Sequence, residues 1–253
     1  MVDRKVRVIG IGSGDPDQLT GEAVAAIGSV AYVIAADKGE GDPLLDVRRR
    51  LCERYGVPLV AVPDPERDRD DPADYPGAVR DWHAARVEAY AHELARRPGD
   101  VGFLVWGDPA FYDSTLRIVE DLATRTPMSY DVIPGISSPQ LLAARHRMVL
   151  HQVGQPILVT TGRRLAESVE AGHDNIVVML DGGLACLDLD RANWQIWWGA
   201  NLGAPDERLV AGPLGQVAEE LQRARADVKA RAGWVMDTYL LRRIAARPVP
   251  STP

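Results

Sequence analysis

Short runs of β-branched residues alternate with helix-length amphipathic segments through the first 134 residues. This alternation is typical of parallel βαβ units. The predicted strands are Val6–Ile11, Val30–Ala35, Leu59–Val62, Val101–Trp106 and Tyr130–Ile133. The predicted helices are Asp17–Ile27, Pro43–Tyr55, Ala78–Arg96 and Ser114–Thr124. We therefore predict an N-terminal α/β domain over residues 1–134.

The second half of the chain has more closely spaced strands and one long helix. The predicted strands are Ile157–Thr160, Ile176–Leu180, Gln195–Trp198 and Trp234–Leu241, and the predicted helix is Leu214–Arg231. Several of these strands are close enough in sequence to pair in an antiparallel way. We predict a second domain of helices and strands over residues 135–253, so that the fold class is α/β with two domains.

Composition limits the classes of function. The 253 residues carry a net charge of −7 and are 46% hydrophobic, which predicts a globular protein that does not bind nucleic acid. The two cysteines, Cys52 and Cys186, lie far apart, so neither a disulfide scaffold nor a zinc site is expected. No run of 18 apolar residues and no signal peptide is found, so we expect a cytoplasmic protein without a membrane span.

A glycine-rich segment follows the first predicted strand. Gly10, Gly12 and Gly14 are spaced G-x-G-x-G, whereas the dinucleotide fingerprint would need its third glycine at Asp15. One interpretation is a ligand-binding loop, in which case Asp37 is the candidate ribose partner of a nucleotide. The alternative is a tight turn in which Asp15 caps a helix and Pro16 is its first residue.

The tripeptide Gly-Asp-Pro occurs three times, at Gly14–Pro16, Gly41–Pro43 and Gly107–Pro109. The second copy directly precedes a predicted helix and is interpreted as a helix cap. The other two copies follow apolar strands, at the edge where open α/β sheets bind ligands. For these two copies both a functional role and simple capping stay open.

Three motifs in one order resemble the tetrapyrrole methylase family. They are the opening Gly10–Pro16 with Leu19 and Thr20 behind it, the Gly-Asp-Pro-x-x-Tyr segment 107–112, and the Ile-Pro-Gly-Ile-Ser-Ser segment 133–138. The resemblance implies two α/β domains that hold S-adenosyl-L-methionine (SAM) in the cleft between them. It also implies a tetrapyrrole lying in a trough above, which the glycine-rich loop would face.

The same resemblance assigns cofactor-binding residues. It implies that backbone groups and one carboxylate of the loop after the fourth strand hold SAM, together with a pair of small hydroxyl residues. It further implies contacts from the end of a later apolar strand, from the segment bordering the adenine and from a pair of residues at the last strand. These residues are Trp106, Gly107, Asp108, Phe111, Ser137, Ser138, Leu180, Leu202, Gly233 and Trp234.

Three longer stretches narrow the implied activity. Segments 105–115, 145–151 and 233–243 resemble most closely the family members that methylate ring carbon 1 of precorrin-5 and release acetate. Ser114 stands where uroporphyrinogen-III methylases have an arginine, which argues against that activity. Another precorrin methyltransferase and a non-enzymatic nucleotide-binding protein are the alternatives. The resemblance also implies a homodimer.

Release of acetate requires water to attack a ketone, so a general base and a donor to the developing oxyanion are expected. The candidates are Asp15, Asp37 and Tyr112, each of which could instead be a cap, a turn residue or a packing residue. His146 is interpreted as a hydrogen-bonded structural group. The cluster Trp194, Trp197 and Trp198 is interpreted as core or dimer interface.

Overall fold

The computed structural model describes residues 4–65 and 75–244. The chain separates into two compact units, of which the N-terminal unit ends at Ser137 and the C-terminal unit begins at Ser138. Each unit has one five-stranded sheet. No helix in the described ranges is long and apolar enough to cross a membrane.

The N-terminal unit is an α/β sheet in which every pair of neighbouring strands is parallel, as predicted. The strand order is β3-β2-β4-β1-β5. The strands are β1 (Arg4–Gly10), β2 (Tyr32–Asp37), β3 (Leu59–Pro63), β4 (Val101–Val105) and β5 (Met128–Ile133). The helices are α1 (Gly21–Ser29), α2 (Pro43–Tyr55), α3 (Tyr75–Arg96) and α4 (Thr115–Arg125).

Both faces of this sheet are covered by helices. Ile9 and Leu104 pack with residues of α1 and α2, whereas Val8 and Phe103 pack with residues of α3 and α4. Neighbouring residues of one strand point to opposite faces, which explains why these strands are apolar at nearly every position. Because the strands are parallel, the carboxyl ends of all five lie at one edge, which carries the loops that follow them.

The predicted start of the first helix, at Asp17, was wrong. Pro16–Gln18 form a separate 3-10 turn, and Leu19 is extended before α1 begins at Gly21. Two side-chain caps explain this division. Asp15 accepts a hydrogen bond from the Asp17 N–H, and Thr20 accepts one from the Ala23 N–H at 3.0 Å. Each cap begins its own helical segment.

The C-terminal unit has a mixed sheet of order β6-β7-β10-β8-β9. β6 pairs with β7 in parallel and the other three pairings are antiparallel, as predicted from the close spacing of the strands. Its strands are β6 (Leu158–Thr161), β7 (Asn175–Met179), β8 (Trp194–Ala200), β9 (Arg208–Pro213) and β10 (Asp237–Arg243). Its helices are α5 (Ser138–His146), α6 (Leu165–Glu170) and α7 (Leu214–Ala232).

Two of the three tryptophans of β8 belong to the core of this unit. Trp194 and Trp198 are buried among apolar residues from α7 and from the neighbouring strands. Trp197 points to the other face and lies under the guanidinium of Arg242 at 5.2 Å. The interpretation of this cluster as core is therefore confirmed for Trp194 and Trp198.

The C-terminal unit differs from the prediction at the start of its last strand and in three elements. The last strand begins at Asp237 and not at Trp234, because Gly233 ends α7 in the left-handed conformation, with φ of 77°. Helix α6 was not predicted, and neither were strand β9 and helix α5. Both are short, and Pro213 and Pro139 interrupt the patterns that would indicate them.

Both thiols are buried and are expected to resist alkylation. Burial raises the pKa of Cys52 to about 11 and the pKa of Cys186 to about 12. Since the reactive form is the thiolate, the folded chain should not react with iodoacetamide at pH 8, whereas both cysteines should react in urea. Mass spectrometry of the treated chain checks this. Modification of either cysteine in the folded chain would contradict its placement.

Candidate functional site

Three loops are joined at the carboxyl edge of the N-terminal sheet. They follow β1, β4 and β5. The Ile11 N–H donates to the Val105 carbonyl at 2.9 Å, and Gly12 and Gly107 donate to each other's carbonyls at 3.0 and 2.8 Å. The loops after β1 and β4 are therefore fixed to each other by main-chain hydrogen bonds.

Glycines let these backbones approach more closely than other residues would. A Cβ atom added at Gly135 would lie 2.2 Å from the Gly107 carbonyl oxygen, and one added at Gly10 would lie 2.5 Å from the Gly135 nitrogen. Backbone atoms cannot move aside in the way that a flexible side chain can. Gly10 and Gly135 are therefore required for the packing of the three loops against one another.

The three Gly-Asp-Pro copies have different structural roles. Asp42 caps α2 through the N–H groups of Leu44 and Leu45, as predicted, and Asp15 caps the 3-10 turn. Asp108 caps no helix, since α4 begins only at Thr115. Its Oδ1 accepts from the Ala110 N–H at 2.8 Å and its Oδ2 from the Gly135 N–H at 2.9 Å. Asp108 therefore fixes the loop after β4 to the loop after β5.

The loop after β4 leaves space beside its backbone. Gly107 has φ of 67°, and a Cβ atom there would meet no described atom within 4 Å. Tyr112 also has a positive φ, 51°, and its side chain is 50% exposed. Left-handed backbone at a residue other than glycine is strained and is concentrated at functional sites. Partial burial raises the pKa of Tyr112, so its hydroxyl is protonated and can donate at neutral pH.

The two candidate hydroxyl residues, Ser137 and Ser138, belong to different units. Ser137 is buried at the end of the N-terminal unit. Ser138 begins α5 in the C-terminal unit, and its Oγ accepts a hydrogen bond from the Thr238 hydroxyl at 2.9 Å. Ser138 is therefore fixed to β10.

Leu180 lies directly after β7 and combines strain with exposure. It has φ of 53°, and its apolar side chain is 64% exposed. The next residue, Asp181, is buried and accepts from the N–H groups of Gly183 and Ala185 and from the Tyr239 hydroxyl. Burial raises the pKa of Tyr239, so this hydroxyl stays protonated as the donor. These bonds hold the loop that presents Leu180, and neither Asp181 nor Tyr239 was singled out from the sequence.

The remaining candidates of the C-terminal unit lie in two connected turns. Leu202 is buried, and Asn201 beside it has φ of 47°. The Asn201 side chain accepts from the Met236 N–H at 2.8 Å, which joins the turn after β8 to the segment before β10. In that segment Gly233 is exposed and Trp234 is half-buried.

The ionised groups at the start of β10 form a buried cluster. Asp237 accepts from Arg225 Nε at 2.8 Å and from Trp198 Nε1 at 3.2 Å. Burial raises the pKa of Asp237, although the Arg225 guanidinium acts in the opposite direction. This cluster fixes α7 to the sheet and contains none of the predicted site residues.

All three catalytic candidates lie at the carboxyl edge of the N-terminal sheet, in three different loops. Asp15 follows β1, Asp37 ends β2 and Tyr112 follows β4. The Asp37 carboxylate accepts from the Gly39 N–H at 2.9 Å, so it is also a turn residue. His146 donates from Nε2 to the Trp198 carbonyl at 3.0 Å, which confirms its structural interpretation.

The sequence that forms these loops matches the model of a known protein family. The family model for tetrapyrrole (corrin/porphyrin) methylases matches residues 5–218. The chain belongs to the tetrapyrrole methylase family. It is accordingly a SAM-dependent methyltransferase, and the two sheets described above are the α/β architecture predicted from the motifs.

Three members of the family show how similar this chain is to its relatives in sequence and in fold. Precorrin-6A synthase [deacetylating] from Sinorhizobium sp is 42% identical over 250 residues, which cover 95% of both chains. The crystal structure of a cobalamin synthesis related protein (CobF) from Corynebacterium diphtheriae is 36% identical and has a TM-score of 0.82, over 95% of this chain and 99% of that one. Cobalt precorrin-4 methyltransferase, 16% identical with a TM-score of 0.66 and coverage of 94% of both chains, shares the fold.

Proposed function

We propose that this tetrapyrrole methylase transfers a methyl group from SAM to ring carbon 1 of precorrin-5, releases acetate and yields precorrin-6A. One observation carries the proposal, namely the 42% identity with precorrin-6A synthase [deacetylating] over 95% of both chains. The reaction belongs to cobalamin biosynthesis, and we place it in the cytoplasm. Precorrin-2 C(20)-methyltransferase from Sinorhizobium sp matches over a shorter part, 37% identical over 140 residues.

We propose the cofactor-binding residues that the family resemblance implies, and the geometry of some of them supports the proposal. SAM supplies an electrophilic methyl group. We propose that backbone groups of the loop after β4 bind it beside the open space at Gly107, and that the exposed Leu180 packs against it. The complete proposed set is Trp106, Gly107, Asp108, Phe111, Ser137, Ser138, Leu180, Leu202, Gly233 and Trp234. Asp108 acts by holding the loop, because both of its carboxylate oxygens already accept backbone N–H groups.

The chemistry divides into two tasks. Methyl transfer requires mainly that the ring carbon be held in line at attack distance with water excluded. Acetate release requires water to add to the acetyl carbonyl and lose a proton to a base, after which the bond between the acetyl group and the ring breaks, its electron pair stays on the tetrapyrrole and acetate leaves. A carboxylate can take the proton from water, and a protonated hydroxyl can donate to the developing oxyanion. We assign the first role to Asp15 or Asp37 and the second to Tyr112.

One variant should slow acetate release more than it slows methyl transfer. Tyr112→Phe removes a hydroxyl donor while keeping the aromatic ring, so acetate release should slow more than methyl transfer. A methylated tetrapyrrole that retains its acetyl group should accumulate and be seen by mass spectrometry. Asp15→Asn and Asp37→Asn test the proton-accepting role in the same assay. Equal loss of both steps, or unchanged acetate release in all three variants, would show that these residues take no part in deacetylation.

The substrate is tested by offering several precorrins separately. The purified chain is incubated with methyl-labelled SAM and precorrin-2, precorrin-4 or precorrin-5, and the products are weighed by mass spectrometry. Labelling of precorrin-5 alone is expected. Labelling of precorrin-2 in preference would assign the chain to the alternative methyltransferase activity, and binding of NAD without any labelling would favour the nucleotide-binding alternative.

We also propose that the enzyme is a homodimer. Trp194 and Trp198 do not supply the interface, because they are buried within the unit, and both edges of β10 are already paired, with β7 and with β8. The resemblance to the family is what supports the proposal. Light scattering at micromolar concentration should give twice the chain mass of 27.6 kDa, and a monomeric mass would contradict it.

A further inference from the structure

The strand order of the N-terminal sheet predicts a ligand-binding crevice between β2 and β4. The chain leaves β2 towards β3 at one side of the sheet and leaves β4 towards β5 at the other side. Ligands of open α/β sheets bind at such a point of divergence, outside the carboxyl ends of the strands. β2 and β4 pair only at Tyr32 with Val101 and at Val33 with Gly102, whereas β4 pairs with β1 along its whole length. The two strands therefore separate towards the ligand-binding edge.

Arg48 enters this crevice from α2. Its Nε donates to the Leu104 carbonyl on β4 at 2.8 Å, and its Nη1 donates to the Leu44 carbonyl at 3.1 Å. Burial lowers the pKa of Arg48, which means that the protein around it disfavours the charged form. The guanidinium nevertheless stays charged, since its pKa in water is far above neutrality.

Within residues 4–65 and 75–244, no carboxylate forms an ion pair with Arg48. The nearby carboxylates of Asp42 and Asp113 attract it electrostatically, while Arg86 repels it. Asp42 accepts from the N–H groups that begin α2, and Asp113 accepts from the Thr115 N–H at 2.6 Å. The Oδ1 atoms of both carboxylates therefore accept backbone N–H groups, and in the described part of the chain neither carboxylate lies within ion-pair distance of Arg48.

Arg86 is a second buried arginine near Arg48, and its charge is paired with a carboxylate. Its Nε lies 2.6 Å from Asp64 Oδ1, and both side chains are largely buried. Burying a charge is costly unless it is paired, and an Arg hydrogen-bonded only to neutral carbonyls keeps its full positive charge. Arg48 therefore makes the crevice attractive to an anion, whereas the charge of Arg86 is already paired with that of Asp64.

We propose that the crevice between β2 and β4 is a carboxylate subsite, in which Arg48 binds a peripheral carboxylate of the tetrapyrrole. The proposal rests on the proposed function, because it takes the substrate to be a carboxylated tetrapyrrole. Guanidinium groups bind carboxylates through paired N–H donors, and Arg48 has donors beyond the two used by carbonyls. The subsite would fix the ring over the carboxyl edge of the sheet.

Arg48→Met tests the subsite, because it removes the charge and keeps most of the aliphatic stem. The KM for precorrin-5 should rise about tenfold or more, while the affinity for S-adenosylhomocysteine in calorimetry stays unchanged. Arg48→Lys keeps the charge without the fork and should give a smaller rise. The matched control is Arg49→Met, which removes the adjacent exposed arginine paired with Asp46 at 2.7 Å and should change neither value.

Uroporphyrin III is a second probe that needs no turnover, so this measurement separates failure of the subsite from failure of the proposed function. The parent chain should bind it more tightly than the Arg48→Met variant, as followed by fluorescence quenching. If the parent binds it no better than Arg48→Met does, the subsite is wrong, even where precorrin-5 is the substrate. Loss of folding in both Arg48 variants would show that this charge is structural and would also overturn the proposal.

Discussion

Replacing Gly135 by alanine is expected to lower the free energy of unfolding by about 3 kcal/mol. The added Cβ would lie 2.2 Å from the Gly107 carbonyl oxygen and 2.7 Å from the Gly10 carbonyl carbon. Both neighbours are backbone atoms of loops that are hydrogen-bonded to each other, so neither loop can move without breaking main-chain bonds. Urea denaturation of the variant and the parent measures the change.

Gly28→Ala is the matched control for this substitution. Gly28 lies on the exposed side of α1, and a Cβ atom there would meet no described atom within 4 Å. Alanine is favoured over glycine within a helix, so this variant should gain about 0.5–1 kcal/mol. If Gly135→Ala were as stable as Gly28→Ala, the close packing of the three loops would be wrong.

Asp108→Ala is expected to weaken S-adenosylhomocysteine binding by about 1–3 kcal/mol, or about 5- to 150-fold. The carboxylate accepts N–H groups from its own loop and from the loop after β5, and both bonds are lost in the variant. The loop beside Gly107 would then no longer be held in the conformation that receives the cofactor. Isothermal titration calorimetry on the folded variant measures the loss.

Asp42→Ala provides the comparison, because Asp42 occupies the same position in the second Gly-Asp-Pro tripeptide. Its carboxylate caps α2, so its loss should cost about 1 kcal/mol of stability and leave the affinity for S-adenosylhomocysteine unchanged. Equal affinities of the parent and the Asp108→Ala variant would remove Asp108 from the cofactor site.

The sequence predicted the elements of the N-terminal sheet because each strand and helix there has a clear local pattern. It also predicted which loops lie at the carboxyl edge, since every strand of a parallel sheet ends there. The cap at Asp42 and the structural role of His146 followed from local rules as well.

Contacts between distant residues could not be predicted in this way. The bond between Asp108 and Gly135 spans 27 residues, and the bond between Tyr239 and Asp181 spans 58. Arg48 is one of three consecutive arginines that look solvated in the sequence, and its hydrogen bond to the distant Leu104 carbonyl distinguishes it from the exposed Arg49. One available signal was overlooked. Gly233 follows a long helical pattern and indicates its end, which places the start of β10 further along the chain.

We expect that this one enzyme both methylates precorrin-5 and removes its acetyl group. The most direct measurement is to quantify labelled methyl incorporated and acetate released in the same reaction, with purified enzyme, precorrin-5 and methyl-labelled SAM. The expected result is one methyl group gained for each acetate released, with a product of the mass of precorrin-6A. Methylation without acetate, or no methylation of precorrin-5 by an enzyme that binds S-adenosylhomocysteine, would contradict the claim.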